Sequence, residues 1–255
     1  MSIRPSLLAA VLLFAVAAPP VLAGPMEPVV ARAISAPGRP ADMIAMDAGR
    51  QPARVLDFLG LKKGDRVLDM AAGSGYYTEI MARAVGPKGI VIAFEHPSFI
   101  TDDKAKKGWA DLLVREKNAR LMSLPINQFA AAPGSFDFVL LHLVYHDFYW
   151  QSAKYDYPRM DPDKQLAKLF AAVKPGGIVG VVDHVGPAGD TREVVEKFHR
   201  IDPETIKADF LRAGFVLDGE SDMLRNPQDN HDTLVFDPAI RGKTDRVVFR
   251  FRKPG

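Results

Sequence analysis

Two groups of residues carry the types and spacing that chemistry needs. The first is Gly73-Ser74-Gly75, with Asp69 just before it and Glu95 twenty residues after Gly75. Glycines between a strand and a helix allow a sharp turn and let a ligand approach where a Cβ would clash. The free N–H groups of the following helix then attract an anion. An acidic side chain ending the next strand accepts hydrogen bonds from ribose hydroxyls, so a nucleoside-containing ligand fits this grouping, either NAD or S-adenosylmethionine. A dinucleotide fingerprint wants Gly or Ala three residues past the second glycine. Here that place is Thr78, after Tyr76 and Tyr77, which points to a smaller anion such as an amino-acid carboxylate.

The second group is "HLVYHDFYW", with Asp183-His184 further along. His142 and His146 are four apart and would share one face of a helix. That is the spacing of the zinc ligands in H-E-x-x-H, but Leu143 stands where the motif has Glu. A metal pair, a substrate-binding or general-base imidazole oriented by Asp147, and structural histidines all remain open. The adopted reading assigns no metal and takes His146, then His142, then His184, as candidate bases. Phe148, Tyr149, Trp150, Tyr155 and Tyr157 suggest an aromatic lid over a planar acceptor.

The elements that hold these residues alternate. "GDRVLDMA", "GIVIAFE", "ARLMSL", "FDFVLLHLV" and "IVGVVDHV" read as strands, with helices at 76–85, 103–117 and 161–173 between them. Asp161-Pro162 is a helix-start signal, and "KPGG" ends that helix. After a helix at 203–214, "FVLDGE" and "RVVFRFR" suggest an antiparallel edge hairpin. Its long polar connection, 223–246, suggests a loop that closes over substrate. Continuously apolar strands separated by helices predict a doubly wound, mostly parallel seven-stranded sheet covered on both faces.

"GDRVLDMAAGSGYYTEIMARAVGPKGIVIAFE", "FDFVLLHLVYHD" and "LFAAVKPGGIVGVVDH" together resemble class I S-adenosylmethionine-dependent methyltransferases over about residues 50–220, most closely a group of exported bacterial predicted methyltransferases. The resemblance implies a Rossmann-like fold, S-adenosyl-L-methionine as cofactor, and methyl transfer to a small-molecule acceptor. It implies that Asp69, Gly73 and Gly75 surround the methionine part, that Glu95 holds the ribose, and that Leu141 and His142 lie near the transfer face. Where such enzymes often carry an acidic adenine contact, this chain reads "MSLP", so Ser123 or backbone groups take that place. Three alternatives stand beside it: an exported nucleoside-binding protein without catalysis, an NAD-type oxidoreductase, and a metal-dependent hydrolase using His142 and His146.

The chain start suggests a compartment. Residues 1–23 have a single Arg, an apolar run and small residues before Gly24, the layout of a secretory signal peptide and hence a periplasmic protein. Residues 24–40 read as a linker or loose arm, 41–61 as helical, and 41–255 as one domain. With 255 residues, a net charge of +2 and no cysteine, the chain has neither the basic field of a nucleic-acid binder nor thiolate or disulfide chemistry. No membrane association is expected beyond the export signal.

Overall fold

The computed structural model describes residues 28–255; the expected leader, 1–23, lies outside them. Four short helices, α1 (Pro28–Ser35), α2 (Ala41–Ala45), α3 (Asp47–Arg50) and α4 (Pro52–Leu59), precede β1 (Arg66–Met70). Then follow α5 (Tyr76–Val85), β2 (Ile90–Glu95), α6 (Asp103–Arg115), β3 (Ala119–Ser123) and β4 (Phe136–His142). The second half comprises α7 (Pro162–Ala172), β5 (Val173–His184), α8 (Thr191–Phe198), α9 (Pro203–Arg212), β6 (Val216–Ser221) and β7 (Arg246–Arg252).

The seven strands form one sheet in the order β3-β2-β1-β4-β5-β7-β6. Neighbours from β3 to β5 are parallel, and β7 runs antiparallel to both β5 and β6. The α/β class, the strand count and the antiparallel C-terminal pair are as the alternation predicts. The middles of β1, β4 and β5 (Val67-Leu68, Phe138–Leu141, Val179–Val182) are apolar and buried because both faces are covered. Leu166, Leu169, Ile206 and Phe210 of α7 and α9 pack on one face, and Leu59, Ile80, Met81 and Leu112 of α4, α5 and α6 on the other. Strand order reverses between β1 and β4, so the chain segments after them diverge and leave a crevice beyond their carboxyl ends.

Three local expectations change. Residues 41–61 are not one helical stretch: Gln51 adopts a left-handed φ of 45° before Pro52, and a residue preceding proline is disfavoured in a helix. From Pro28 onward the 24–40 segment is not a loose arm. Helix α1 buries Val30 and Ala33 in the core beside α5, the Arg83 guanidinium donates to the Ala36 carbonyl at 3.0 Å, and Arg39 makes two 2.7 Å bonds to Asp47. "KPGG" does not simply end α7. It lies within β5, where Phe136 pairs with Val173 and the register then jumps so that Phe138 pairs with Ile178. Helix α8, absent from the sequence reading, is capped by Asp190, whose side chain accepts from the Arg192 and Glu193 N–H groups.

The Gly-Ser-Gly turn depends on two different properties of glycine. Gly75 has φ 82°, and a Cβ there would stand 2.6 Å from Leu112 Cδ1 and 3.2 Å from the Trp109 ring. Its missing side chain is what lets α6 pack on the turn; the space beside it is protein, not a ligand cavity. On the side of its absent Cβ, Gly75 is therefore a packing position where α6 meets the turn. Gly73, with φ 58°, has nothing within 4 Å of its absent Cβ and faces open space. Gly75→Val should accordingly lower stability in urea denaturation by about 2–5 kcal/mol, from overpacking plus left-handed strain. Parent-like unfolding would refute the packing role.

Candidate functional site

The crevice has two halves. In the first, Glu95 ends β2 with its carboxylate buried, accepting from the Gly73 N–H and, at 2.7 Å, from the His96 N–H. It thereby ties the glycine turn to the neighbouring strand. Burial pushes its pKa up to about 8, against the lowering effect of those N–H donors. Asp69 is also buried, with its Oδ2 accepting from the Thr78 hydroxyl at 2.5 Å. Burial lifts it to about 7, opposed by the Thr78 hydrogen bond and the charge of Arg50. Through that bond Asp69 fastens α5 onto β1. Ser123 is exposed at the end of β3, in register with Glu95, with exposed Met122 and Leu124 beside it as an apolar shelf.

The second half lies after β4 and β5. Asp183, fully buried, accepts from the His146 N–H at 2.9 Å and the His184 N–H at 2.8 Å, and pairs with His146 Nδ1 at 2.7 Å. Burial disfavours charge on His146, but Asp183 and Asp147 override it and raise the ring to about 9. Burial lowers His184 to about 3 and His199 to about 4. His146 is therefore an imidazolium at neutral pH, next to two neutral rings.

His142 and His146 do not form a helical pair. Leu143 takes φ 60°, which ends β4, and His146 falls in a short 3₁₀ turn, His146–Phe148. The two rings diverge. His142 lies 4.6 Å from the Tyr77 ring, whereas His146 faces Asp183, Asp147 and His199. His142 stays neutral because burial and then the nearby Arg50 and Arg246 cations depress its pKa.

A cavity of about 420 Å³ opens onto His146, Asp147, His184 and His199, with Arg50, Trp150, Phe236 and Arg241 on its walls. The 223–246 loop supplies Phe236 and Arg241, so it forms a wall. Buried Arg200 anchors it, bonding Asp229 at 2.8 and 2.9 Å and the Thr233 carbonyl at 2.9 Å. Of the aromatic stretch, Trp150 and Tyr155 reach the cavity, while Phe148 and Tyr157 are buried. A larger, more open groove of about 770 Å³ between Gln151–Arg159 and α8 contains none of the histidines.

Sequence reasoning missed Arg50, Asp183's clamp on His146, and His199. Arg50 lines the cavity and stacks 4.4 Å over the Tyr76 ring, and among the described residues no carboxylate pairs with it. An Arg two residues before a proline, and a His closing a helix, carry no local signal.

The sequence pattern of the protein-L-isoaspartate (D-aspartate) O-methyltransferase family matches residues 44–111, the part that carries Arg50, the glycine turn and Glu95. A ubiquinone/menaquinone biosynthesis C-methyltransferase of Pasteurella multocida is 28% identical over 153 residues, covering 56% of this chain and 49% of that protein. The chain thus spans about half the length of that relative. Among solved structures, an S-adenosylmethionine-dependent methyltransferase from Aquifex aeolicus superposes with a TM-score of 0.57 at 19% identity, covering 84% of this chain and 98% of the other. A Burkholderia thailandensis 1,6-didemethyltoxoflavin N1-methyltransferase, solved with S-adenosylhomocysteine, gives 0.51 at 17% identity, covering 84% and 80%. The chain has the class I S-adenosylmethionine-dependent methyltransferase fold.

The buried Glu95 makes stability pH-dependent. Its folded pKa lies above its unfolded value, so the folded state binds more protons between about pH 4.5 and 8, and stability falls as pH rises through that window. Glu95→Gln should gain stability relative to the parent on going from pH 5 to pH 8 in urea titrations. Parallel behaviour at both pH values would contradict a buried, proton-holding carboxyl.

Proposed function

We propose that the protein transfers a methyl group from S-adenosylmethionine to a small-molecule acceptor held in the 420 Å³ cavity. The observation that carries this reading is the open face of Gly73. No protein atom lies within 4 Å of its absent Cβ, and it stands at the reversal in strand order, beside an acidic residue ending β2. The residues fit the cofactor. Each Glu95 oxygen accepts one N–H and keeps capacity for a ribose hydroxyl, and Met122 and Leu124 offer an apolar surface to a planar base. Arg50, a largely desolvated cation without a carboxylate partner, takes the carboxylate of the methionine part.

When bound, the cofactor supplies an electrophilic methyl group on a sulfonium. The chain's own contribution is alignment, water exclusion and charge placement. Held as an imidazolium, His146 does not accept a proton at neutral pH. In the metal-free protein it makes the cavity, with Arg241, favour an anionic oxygen on the acceptor. A pH limb from His146 would lie at about 9, above the roughly 6.5 of a free imidazole. Trp150 and Phe236 suit an aromatic, planar acceptor, consistent with the quinone named for the Pasteurella multocida relative.

Arg50 gives a test separable from folding. Arg50→Gln should weaken S-adenosylhomocysteine binding by about 10–100-fold, the scale of hydrogen bonds to a charged group. Affinity for methylthioadenosine, which lacks the amino-acid part, should stay unchanged. Equal loss for both ligands, or for neither, would remove Arg50 from the carboxylate site. Failure of both ligands to bind the parent would sink the methyltransferase reading.

We further propose that the protein is exported, on the sequence of residues 1–23. N-terminal sequencing of the native protein should begin at Gly24, and a start at Met1 would overturn export by a cleaved leader.

A further inference from the structure

Three side chains converge at the cavity: His146, Asp147 and His199. His146 Nε2 stands 3.4 Å from Asp147 Oδ1, and His199 Nε2 stands 3.9 Å from the same oxygen. One donor atom from each of the three lies within 4.8 Å of the others. Donors bound at 2.0–2.2 Å to a tetrahedral ion stand about 3.3–3.6 Å apart, so a small rotation of His199 completes the set.

The surroundings match what a metal site requires. The other nitrogen of His146, Nδ1, is held by the buried Asp183 carboxylate at 2.7 Å, and the His146 main-chain N–H is held by that carboxylate's second oxygen at 2.9 Å. A carboxylate behind a histidine fixes its ring and directs Nε2 outward, the usual support of a ligating imidazole. His199 is held in place by Trp150 and Phe236, whose rings lie 5.1 and 5.0 Å from its own. All three donors border the 420 Å³ cavity, which provides an entry path and leaves coordination positions facing the acceptor space.

We propose that His146, Asp147 and His199 bind a divalent first-row transition ion, with an oxygen of the acceptor completing its coordination. Two imidazoles and one carboxylate suit zinc, iron, nickel or copper, and not magnesium or calcium, which take oxygen ligands. His146 coordinates as the neutral ring, so ligation releases its Nε2 proton to solvent. The three protein ligands follow β4 and α8, outside the 44–111 segment that carries the glycine turn, so ion binding itself does not depend on the cofactor reading; the acceptor's place as a further ligand rests on the proposed methyl transfer.

The test uses the full chain, stripped with a chelator and titrated with Zn²⁺, Co²⁺ or Mg²⁺. The parent should bind one Zn²⁺ or Co²⁺ per chain and no Mg²⁺, and bound Co²⁺ should show the visible absorption of a nitrogen-ligated ion. Asp147→Asn and His199→Asn should each weaken Zn²⁺ binding by more than about 100-fold, beyond the effect of losing an outer partner. Asn at 199 tolerates the left-handed backbone there (φ 51°), and far-ultraviolet circular dichroism verifies that both variants fold. Absence of Zn²⁺ binding by the parent, or unchanged binding by both folded variants, overturns the site. Titrating the metal-free parent with S-adenosylhomocysteine separates the two readings. Nucleoside binding without metal binding rejects this proposal alone, and metal binding without nucleoside binding rejects the methyltransferase assignment alone.

Discussion

The arrangement of the crevice rests on one buried carboxylate. Asp183 ends β5 with no exposure to solvent, and a charge in that position persists only if donors surround it. It finds them in the His146 ring, the His146 N–H and the His184 N–H. Satisfying Asp183 therefore pulls the segment after β4 against the end of β5 and orients the His146 ring. Asp183, with Asp147, raises the His146 ring, whereas burial dominates at His184, whose Nδ1 meets the Thr244 hydroxyl, and at the less enclosed His199.

A second buried ion pair defines the opposite wall. Arg200, fully enclosed, spends its guanidinium on Asp229 and on the carbonyls of Val185 and Thr233. Asp245 adds Arg225 and His231 from within the same loop. The long 223–246 connection is thus anchored to the body of the domain, and it carries Phe236 and Arg241 into the cavity. The two halves of the crevice then differ in character. The glycine turn is held by the Gly73 N–H donating to Glu95 and by packing from α6, whereas the cavity after β4 is walled by aromatics and cations.

Much of this was legible locally. The spacing of apolar runs and of cap and turn residues placed α5, α7 and α9 and most strands close to where they lie, because period and cap chemistry act over a few residues. Glu95 was recognisable from its place at the end of the second strand. His142 and His146 misled for an equally local reason. Their spacing assumes a continuous helix, and the left-handed Leu143 interrupts the chain between them. Gly75 marks a close approach, and on the side of its absent Cβ it is Leu112 of α6 that makes it, a partner no local pattern names.

The sequence by itself therefore determined the α/β alternation, the Gly-Ser-Gly turn and the acidic residue that follows it. All three depend on near neighbours. Only the tertiary structure decided that Arg50, His146, Asp147, Asp183 and His199 share one crevice, since they come from α3, the segment after β4, the end of β5 and the residue closing α8. Their convergence depends on the reversal of strand order between β1 and β4 and on the burial of Asp183, and long-range pairing of that kind leaves no periodic trace in the chain.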